Sequence, residues 1–499
     1  MSLNKFSFLQ LSTKSDIIFI IFLVVATFFT TSHFLENHGQ VMVDQDSYMH
    51  FENAMSIATD TQTSDRKLPA TESFVLYLSL LYRLVQDPLN ALMYLRLINL
   101  FATVQLVVFF YLIARKMFNP FFSLAGAIMA LFMPISMAYS GTLESNVFAS
   151  AMGFASLYFS IKPGRLSRLI PATIFIILTS ARLDELMVFS VPYFIGVAYY
   201  ISHRFHIKFS IILVIIIITF FVPVYFVIQG IGGIYSKGFF HQSILEQIFT
   251  LVSFDTIKTV VLSSIEITGE NAENIVGNEE LNKFYLGILL IGIIFFAFNY
   301  KKAIRKILTL KSDHFGEGST TVCYLVIIIL VSIFSLSAFH IPFNVVHDQI
   351  VINDEILPRY MIDLRIFLLY GFTYGVSLVS TVYQKVTNII IGHNGQSIYE
   401  KSSPKIQNDF ISLDLKNTVA SPVTKKVFKI GRCFSYIFVI FILVLFSNAM
   451  WDSAVRFYGD LATQLQIHHD ATQWLSKNLG ENEKAFLPMP QTFGHWILH

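Results

Sequence analysis

Charge and cysteine are what this sequence has least of. Asp, Glu, Lys and Arg make up only 14% of its 499 residues, little more than half the share found in soluble domains. Its two cysteines are Cys323, inside an apolar run, and Cys433, at the edge of another. That excludes a disulfide framework. No Asn-x-Ser/Thr acceptor occurs, which argues against passage through a eukaryotic secretory pathway. There is no internal repeat and no large soluble domain, and a net charge of +2 makes no case for nucleic acid. What is abundant is apolar: 54% of the chain is hydrophobic, with 50 phenylalanines. The class is an all-α, multi-pass membrane protein.

At about 20 residues per crossing, hydropathy gives about eleven spans. They are Ile17–Phe34, Ala91–Ala114, Phe121–Tyr139, Asn146–Ile161, Leu169–Ser180, Leu186–Ile201, Phe209–Gly230, Phe284–Tyr300, Thr321–His340, Ile366–Tyr383 and Phe434–Asn448. The first lacks an A-x-A-like cleavage site and is expected to be retained. With the N-terminus inside, 22 of the 35 Lys and Arg fall on inner segments, so the expected orientation has a cytoplasmic N-terminus and an extracytoplasmic C-terminus in the cell membrane. The clusters Lys301-Lys302-Arg305-Lys306 and Lys425-Lys426-Lys429-Arg432 read as inner anchors near lipid phosphates. Residues 1–448 form the membrane domain. Its first outer loop is 36–90, a second long outer loop is 231–283, and the Ser-, Asn- and Lys-rich inner loop 385–432 is expected to be disordered. A short extracytoplasmic segment, 449–499, follows, with an amphipathic helix at His469–Leu479 and a strand near Ala485–Leu487.

Acidic residues at a membrane face must be hydrated, paired or bound. The first such pair, Asp44 and Asp46, directly follows the first span. Ser47–Ala58 then places Tyr48, Phe51, Met55 and Ala58 at helical spacing, as in a helix lying in the headgroup layer. On the outer face also fall Glu144, Asp184 and Glu185, with Arg182, Arg359, Tyr360, Asp363 and Arg365. Five of these carboxylates, Asp44, Asp46, Glu144, Asp184 and Glu185, lying with guanidinium groups on one face, imply a polar cleft opening outward. Each has a plainer reading. Asp46 or Ser47 caps the helix, Glu144 sits in water on a hydrophilic hairpin over Ser140–Ser145, Arg182 pairs within its own turn, and Arg359-Tyr360 is an interfacial anchor. Among the histidines none has zinc-like spacing.

Four passages resemble the GT-C superfamily of membrane glycosyltransferases, which includes protein O-mannosyltransferases and lipid A aminoarabinose transferases. They are Asp44-Gln45-Asp46-Ser47-Tyr48, Tyr94-Leu95-Arg96-Leu97-Ile98-Asn99, Ser180-Ala181-Arg182-Leu183-Asp184-Glu185 and Arg359-Tyr360. Leu183 stands where many members have Pro, and the tail has no Trp-Trp-Asp-Tyr-Gly stretch, against an oligosaccharyltransferase. The resemblance covers the first 200 residues well and the rest by topology. It implies interfacial helices in the first outer loop and transfer of a hexose- or mannose-type sugar from a polyprenyl- or dolichyl-phosphate donor. The acceptor would be a hydroxyl on a protein, lipid or glycan, with inversion at the anomeric carbon. In that scheme Asp44 or Asp46 is the base. Arg359 and Tyr360, with Arg182, hold the donor phosphate, and Glu144, Asp184, Glu185, Tyr48 and Arg96 contact substrate. A phosphate leaves as a stable anion, so one base and one positive clamp suffice. No cofactor is required; a divalent metal between Asp46 and Glu144 is the other option. The competing functions are a transporter or flippase of lipid-linked sugars and a glycan polymerase or ligase, though ion-coupled carriers usually show mid-membrane carboxylates and repeated halves.

Overall fold

The computed structural model describes residues 14–38, 45–59, 72–85, 88–161, 166–209, 278–308, 317–339, 343–346, 349–352, 362–393 and 433–456, with short pieces between 211 and 264. The helices are α1 (Lys14–His38), α2 (Gln45–Thr59), α3 (Glu72–Val85), α4 (Pro88–Ala114), α5 (Pro120–Leu131), α6 (Pro134–Tyr139), α7 (Ser145–Ser160), α8 (Leu166–Thr179) and α9 (Leu183–Phe205). After them come α10 (Asn278–Leu308), α11 (Glu317–Phe339) and α12 (Ile362–His393). The last is α13 (Cys433–Arg456). A small antiparallel hairpin, β1 (Phe343–Val346) with β2 (Gln349–Ile352), pairs Phe343 with Ile352 and Val346 with Gln349, an element beyond the all-helical expectation. Five described helices, α1, α4, α9, α12 and α13, are long and apolar enough to cross a membrane. The chain is a multi-pass membrane protein.

Two expectations change. The third span is not one helix. Pro134 has no N–H to continue α5, and it forces the preceding residue out of the helical region; Met133 accordingly lies at φ −54°, ψ 118°. The result is α5, about 18 Å long by helix rise, followed by the one-turn α6. At the other end of α5, Asn119 caps the helix through its side chain, accepting the Phe122 N–H at 3.1 Å, with Pro120 in the first helical position. The loop expected from 385 begins later, because α12 stays helical through His393. Residues 394–432, most of the 209–230 span, nearly all of the 231–283 loop and the tail features at 469–487 lie outside the described residues.

The bundle is built around α7. Every residue of α7 except Phe148 is buried, and it packs against α4, α8, α9 and α12. Its sequence explains this: Ala149, Ser150, Ala151, Gly153, Ala155 and Ser156 let neighbouring helices approach closely. Aromatic pairs fill the wider gaps, with Phe154 stacked on Phe367 at 4.8 Å and Phe110 on Tyr370 at 4.1 Å. Helices α1 and α13 lie at the edge. Ile18, Ile21, Phe22, Val25 and Phe29 form an exposed apolar stripe on α1, as a lipid-facing helix requires. One end of α1 is tied to α4 by Asp16, whose Oδ1 accepts the Tyr111 hydroxyl and Arg115 Nε, each at 2.7 Å.

Helices α10 and α12 meet backbone to backbone. A Cβ on Gly292 would stand 2.0 Å from the Gly371 carbonyl oxygen, and one on Gly375 would stand 2.2 Å from the Ile288 oxygen. No side chain can rotate away there, since the obstacle is main chain. Gly375→Leu is therefore expected to separate the helices at a cost of about 1–3 kcal/mol or more, lowering the thermal midpoint in neutral detergent. Gly287→Leu, with nothing within 4 Å of its Cβ position, should leave the midpoint unchanged.

Candidate functional site

At the N-terminal end of α7 the chain buries a polar turn. Ser140, Thr142, Leu143, Glu144 and Ser145 are all at most 1% exposed, although their sequence reads as a hydrophilic hairpin. Burial is tolerable only if the backbone groups find partners, and they do. Arg96 Nε donates to the Gly141 carbonyl. Asn99 Nδ2 donates to the carbonyls of Thr142 at 2.8 Å and Glu144 at 2.7 Å. His50 Nδ1 lies 2.9 Å from the Leu143 carbonyl; because a carbonyl only accepts, Nδ1 carries the proton. The Leu143 N–H donates to Ser47 Oγ at 3.1 Å. Four consecutive carbonyls are thus answered by side chains of α2 and α4.

Helices α2 and α3 cover this end with a small core of their own, in which Phe51, Ala54, Phe74, Leu78 and Tyr82 meet Leu95, Leu143 and Ala181. The opposite face of α3 exposes Leu76, Leu80 and Leu84. A helix apolar on both sides, one against protein and one outward, fits the membrane interface.

Beside the turn, the starts of α9 and α12 bring acids together. Arg182 grips Asp184 with two parallel bonds, Nε to Oδ1 at 2.9 Å and Nη2 to Oδ2 at 2.8 Å. Asp184, Glu185 and Asp363, with Ser332 and Ser335 from the last turns of α11, line a half-open cleft with room for a water molecule. Asp363 is 4% exposed, and neither of its carboxylate oxygens has a hydrogen-bond partner. Glu185 Oε2 and Ser332 Oγ are also buried and unpartnered. Ser150 of α7 stands beside Asp363, its own hydroxyl without a partner. Asp184, Glu185 and Asp363 each occupy a first helical turn, where the helix dipole favours an anion. That alone does not replace the lost hydration of a buried carboxylate. The cleft is short of hydrogen-bond donors for its carboxylates. Among the described residues no three His, Cys, Asp or Glu side chains converge as a metal site.

No family model matches the chain, and no curated protein matches it. Solved structures do. The archaeal oligosaccharyltransferase AglB from Archaeoglobus fulgidus, in complex with an inhibitory peptide and a dolichol-phosphate, aligns over 96% of this chain and 63% of its own, with a TM-score of 0.50 at 11% identity. ArnT from Cupriavidus metallidurans bound to undecaprenyl phosphate aligns over 97% of this chain and 84% of its own, with a TM-score of 0.46 at 9% identity. Its apo state covers the same shares, with a TM-score of 0.48 at 10% identity. The chain has the GT-C fold.

Within the GT-C fold the predicted residues divide into three groups. Glu144, Arg182, Asp184 and Glu185 lie at one end of the bundle. Asp44, Arg359 and Tyr360 lie outside the described residues, as do the side chains of Asp46 and Tyr48 within α2. The contact between Ser47 and Leu143 nevertheless brings the α2 backbone next to Asp46 alongside the backbone next to Glu144. Two of the plainer readings are corrected. Glu144 is buried, not hydrated, because the turn around it is held from α2 and α4. Ser47 does not cap α2, which begins at Gln45; it bonds to Leu143. Arg96 Nε donates to the Gly141 carbonyl and so helps to hold the turn. Arg182 commits Nε and Nη2 to Asp184, the internally paired turn. His50 was missed, and Asn99 and Asp363, though noted in the sequence, were given no role. The signal for His50 was present: Ser47, His50, Phe51 and Ala54 form an i, i+3, i+4, i+7 stripe, all buried.

Asn99→Ala removes the donor to two buried carbonyls, at a cost of about 1–3 kcal/mol for each acceptor left unsatisfied. The expected result is a lower thermal midpoint and proteolytic opening near 140–145, whereas Gln105→Ala on the same helix, which loses bonds to Ala151 and Met152, leaves that turn protected.

Proposed function

We propose that this protein is a membrane glycosyltransferase that moves a hexose-type sugar from a polyprenyl- or dolichyl-phosphate to an acceptor hydroxyl. The observation that carries the proposal is the coincidence of the GT-C fold with a buried carboxylate cluster at one end of that fold, Glu185 and Asp363 beside Asp184. The similar AglB structure is an oligosaccharyltransferase holding a dolichol-phosphate, which supports a lipid-linked donor and a sugar-transfer reaction here. In the proposed orientation this end faces outward and the N-terminus is cytoplasmic.

The chemistry needs few parts. An acceptor hydroxyl gives its proton to Asp44 or Asp46, and its oxygen attacks the anomeric carbon. The bond to the phosphate oxygen breaks, and the lipid phosphate departs as an anion needing no proton. Attack opposite the leaving group inverts the anomeric centre. Arg359, beside Tyr360, supplies the positive charge for that phosphate; Arg182, occupied by Asp184, acts by fixing the start of α9. The unpartnered oxygens of Asp363 and Glu185 accept hydroxyls of a substrate sugar, which restores the hydrogen bonds their burial removed. Glu144 and Asp46 are the pair that would hold a divalent cation if the reaction uses one.

Membranes carrying the full chain, incubated with radiolabelled polyprenyl-phosphate sugars, should consume at least one donor. Asp44→Asn or Asp46→Asn should cut that rate by about 10²–10⁴-fold, the usual worth of a general base, and Asp363→Asn should raise the KM for the sugar with less effect on kcat. Loss on chelation, restored by Mg²⁺ or Mn²⁺, would assign the aspartates to a metal instead of the proton. Consumption of no donor by the wild type would contradict the proposal.

A further inference from the structure

Four helices bring unpartnered oxygens to one small cleft. Asp363 Oδ1 and Oδ2 from α12, Glu185 Oε2 from α9, Ser332 Oγ from α11 and Ser150 Oγ from α7 are all buried without a hydrogen-bond partner. Each of these residues is at most 7% exposed. Asp363, Glu185 and Ser332 line the cleft with Asp184 and Ser335, and Ser150 stands beside Asp363. The charges that act on Asp363 are Asp184 and Arg182. Arg182 already grips Asp184 with two bonds, which leaves it little to give the other two carboxylates. Arg365 is two positions on from Asp363, a spacing at which side chains do not share a helix face, and it acts on Tyr285 of α10.

Serine hydroxyls can turn to donate to these carboxylates, but they bring no charge. The starts of α9 and α12 offset only part of it, and desolvated carboxylates without a counter-charge are costly. A small hard cation answers what remains, because it takes carboxylate and hydroxyl oxygens together. Ser335 adds a further hydroxyl near the end of α11, the helix end that favours a cation. The cleft has room for a water molecule, which is also room for such an ion. Among the described residues no three acidic, histidine or cysteine side chains converge, which favours single charge over double. We propose that Asp363, Glu185 and Ser332 bind an alkali-metal cation of the size of sodium, between the starts of α9 and α12 and the end of α11. This is the cleft to which the glycosyl-transfer reading assigns sugar hydroxyls; the ion takes one oxygen of Asp363 and leaves the other for a hydroxyl. Ion binding needs no sugar, so either reading can fail alone.

The test uses the purified full chain in neutral detergent with no sugar donor present. Its thermal midpoint is followed as sodium chloride replaces N-methylglucamine chloride at fixed pH and ionic strength, and bound radioactive sodium is counted at equilibrium. The expected result is a saturable rise in midpoint matched by saturable sodium binding. Ser332→Ala should raise the half-saturating sodium concentration about tenfold, the effect of one lost bond to a charged group. Asp363→Asn should abolish the response while leaving the sodium-free midpoint as high or higher, since it removes a buried charge and keeps the shape. Glu280→Gln, at an exposed carboxylate beside Lys283, should respond as the wild type does. Should Asp363→Asn fail to fold, Ser332→Ala decides the matter. A wild type indifferent to sodium, a response to Mg²⁺ alone, or an unchanged half-saturation in Ser332→Ala would overturn the proposal.

Discussion

A polar turn can be buried between membrane helices only when each of its carbonyls is given a donor, and the 140–145 segment shows how much structure that requirement commits. The donors come from two other helices: Arg96 and Asn99 from α4, and His50 from α2. The amide of Leu143 completes the set through Ser47. Once these bonds exist, α2 cannot drift along the membrane surface. It is pinned to the start of α7, and the small core of α2 and α3 closes over it. The start of α2 is thereby held beside the buried turn before α7.

The same logic separates the two ends of the bundle. Helix α7 is buried along its length and runs between them. Near its start, Asp363 and Glu185 Oε2 are buried without donors; near its finish, Arg168 Nη2 is buried without an acceptor. Neither state is cheap in a protein interior. The tight helix contacts between them, through glycine backbone on α10 and α12 and through the small residues of α7, keep that separation fixed.

Much of the helical plan was legible because hydropathy and length govern membrane spans directly. The break at Pro134 was legible too, since a proline and its predecessor carry a local rule, yet a hydropathy window averages across it. What sequence could not show was the burial of Ser140–Ser145. Its composition is that of an exposed turn, and the groups that make burial tolerable lie 43 to 96 positions away in the chain. His50 illustrates a different limit. Its buried stripe has correct helical spacing, but half of that stripe is Ser and His, which a hydrophobicity pattern discounts. Asp363 had no local signature beyond its place in the first turn of α12; only the meeting of α7, α9, α11 and α12 makes it unusual. The pairing of Arg182 with Asp184, by contrast, was one of two readings open from adjacency alone.

The central claim is that sugar transfer takes place at the end of the bundle where α7 begins. Photo-crosslinking with a polyprenyl phosphate bearing a photoreactive sugar, followed by peptide mapping of the full chain in membranes, tests it directly. The account predicts adducts on peptides carrying Glu144, Arg182–Glu185 or Asp363, competed away by unlabelled donor. Adducts confined to the opposite end, around Lys116 and Arg168, would contradict it.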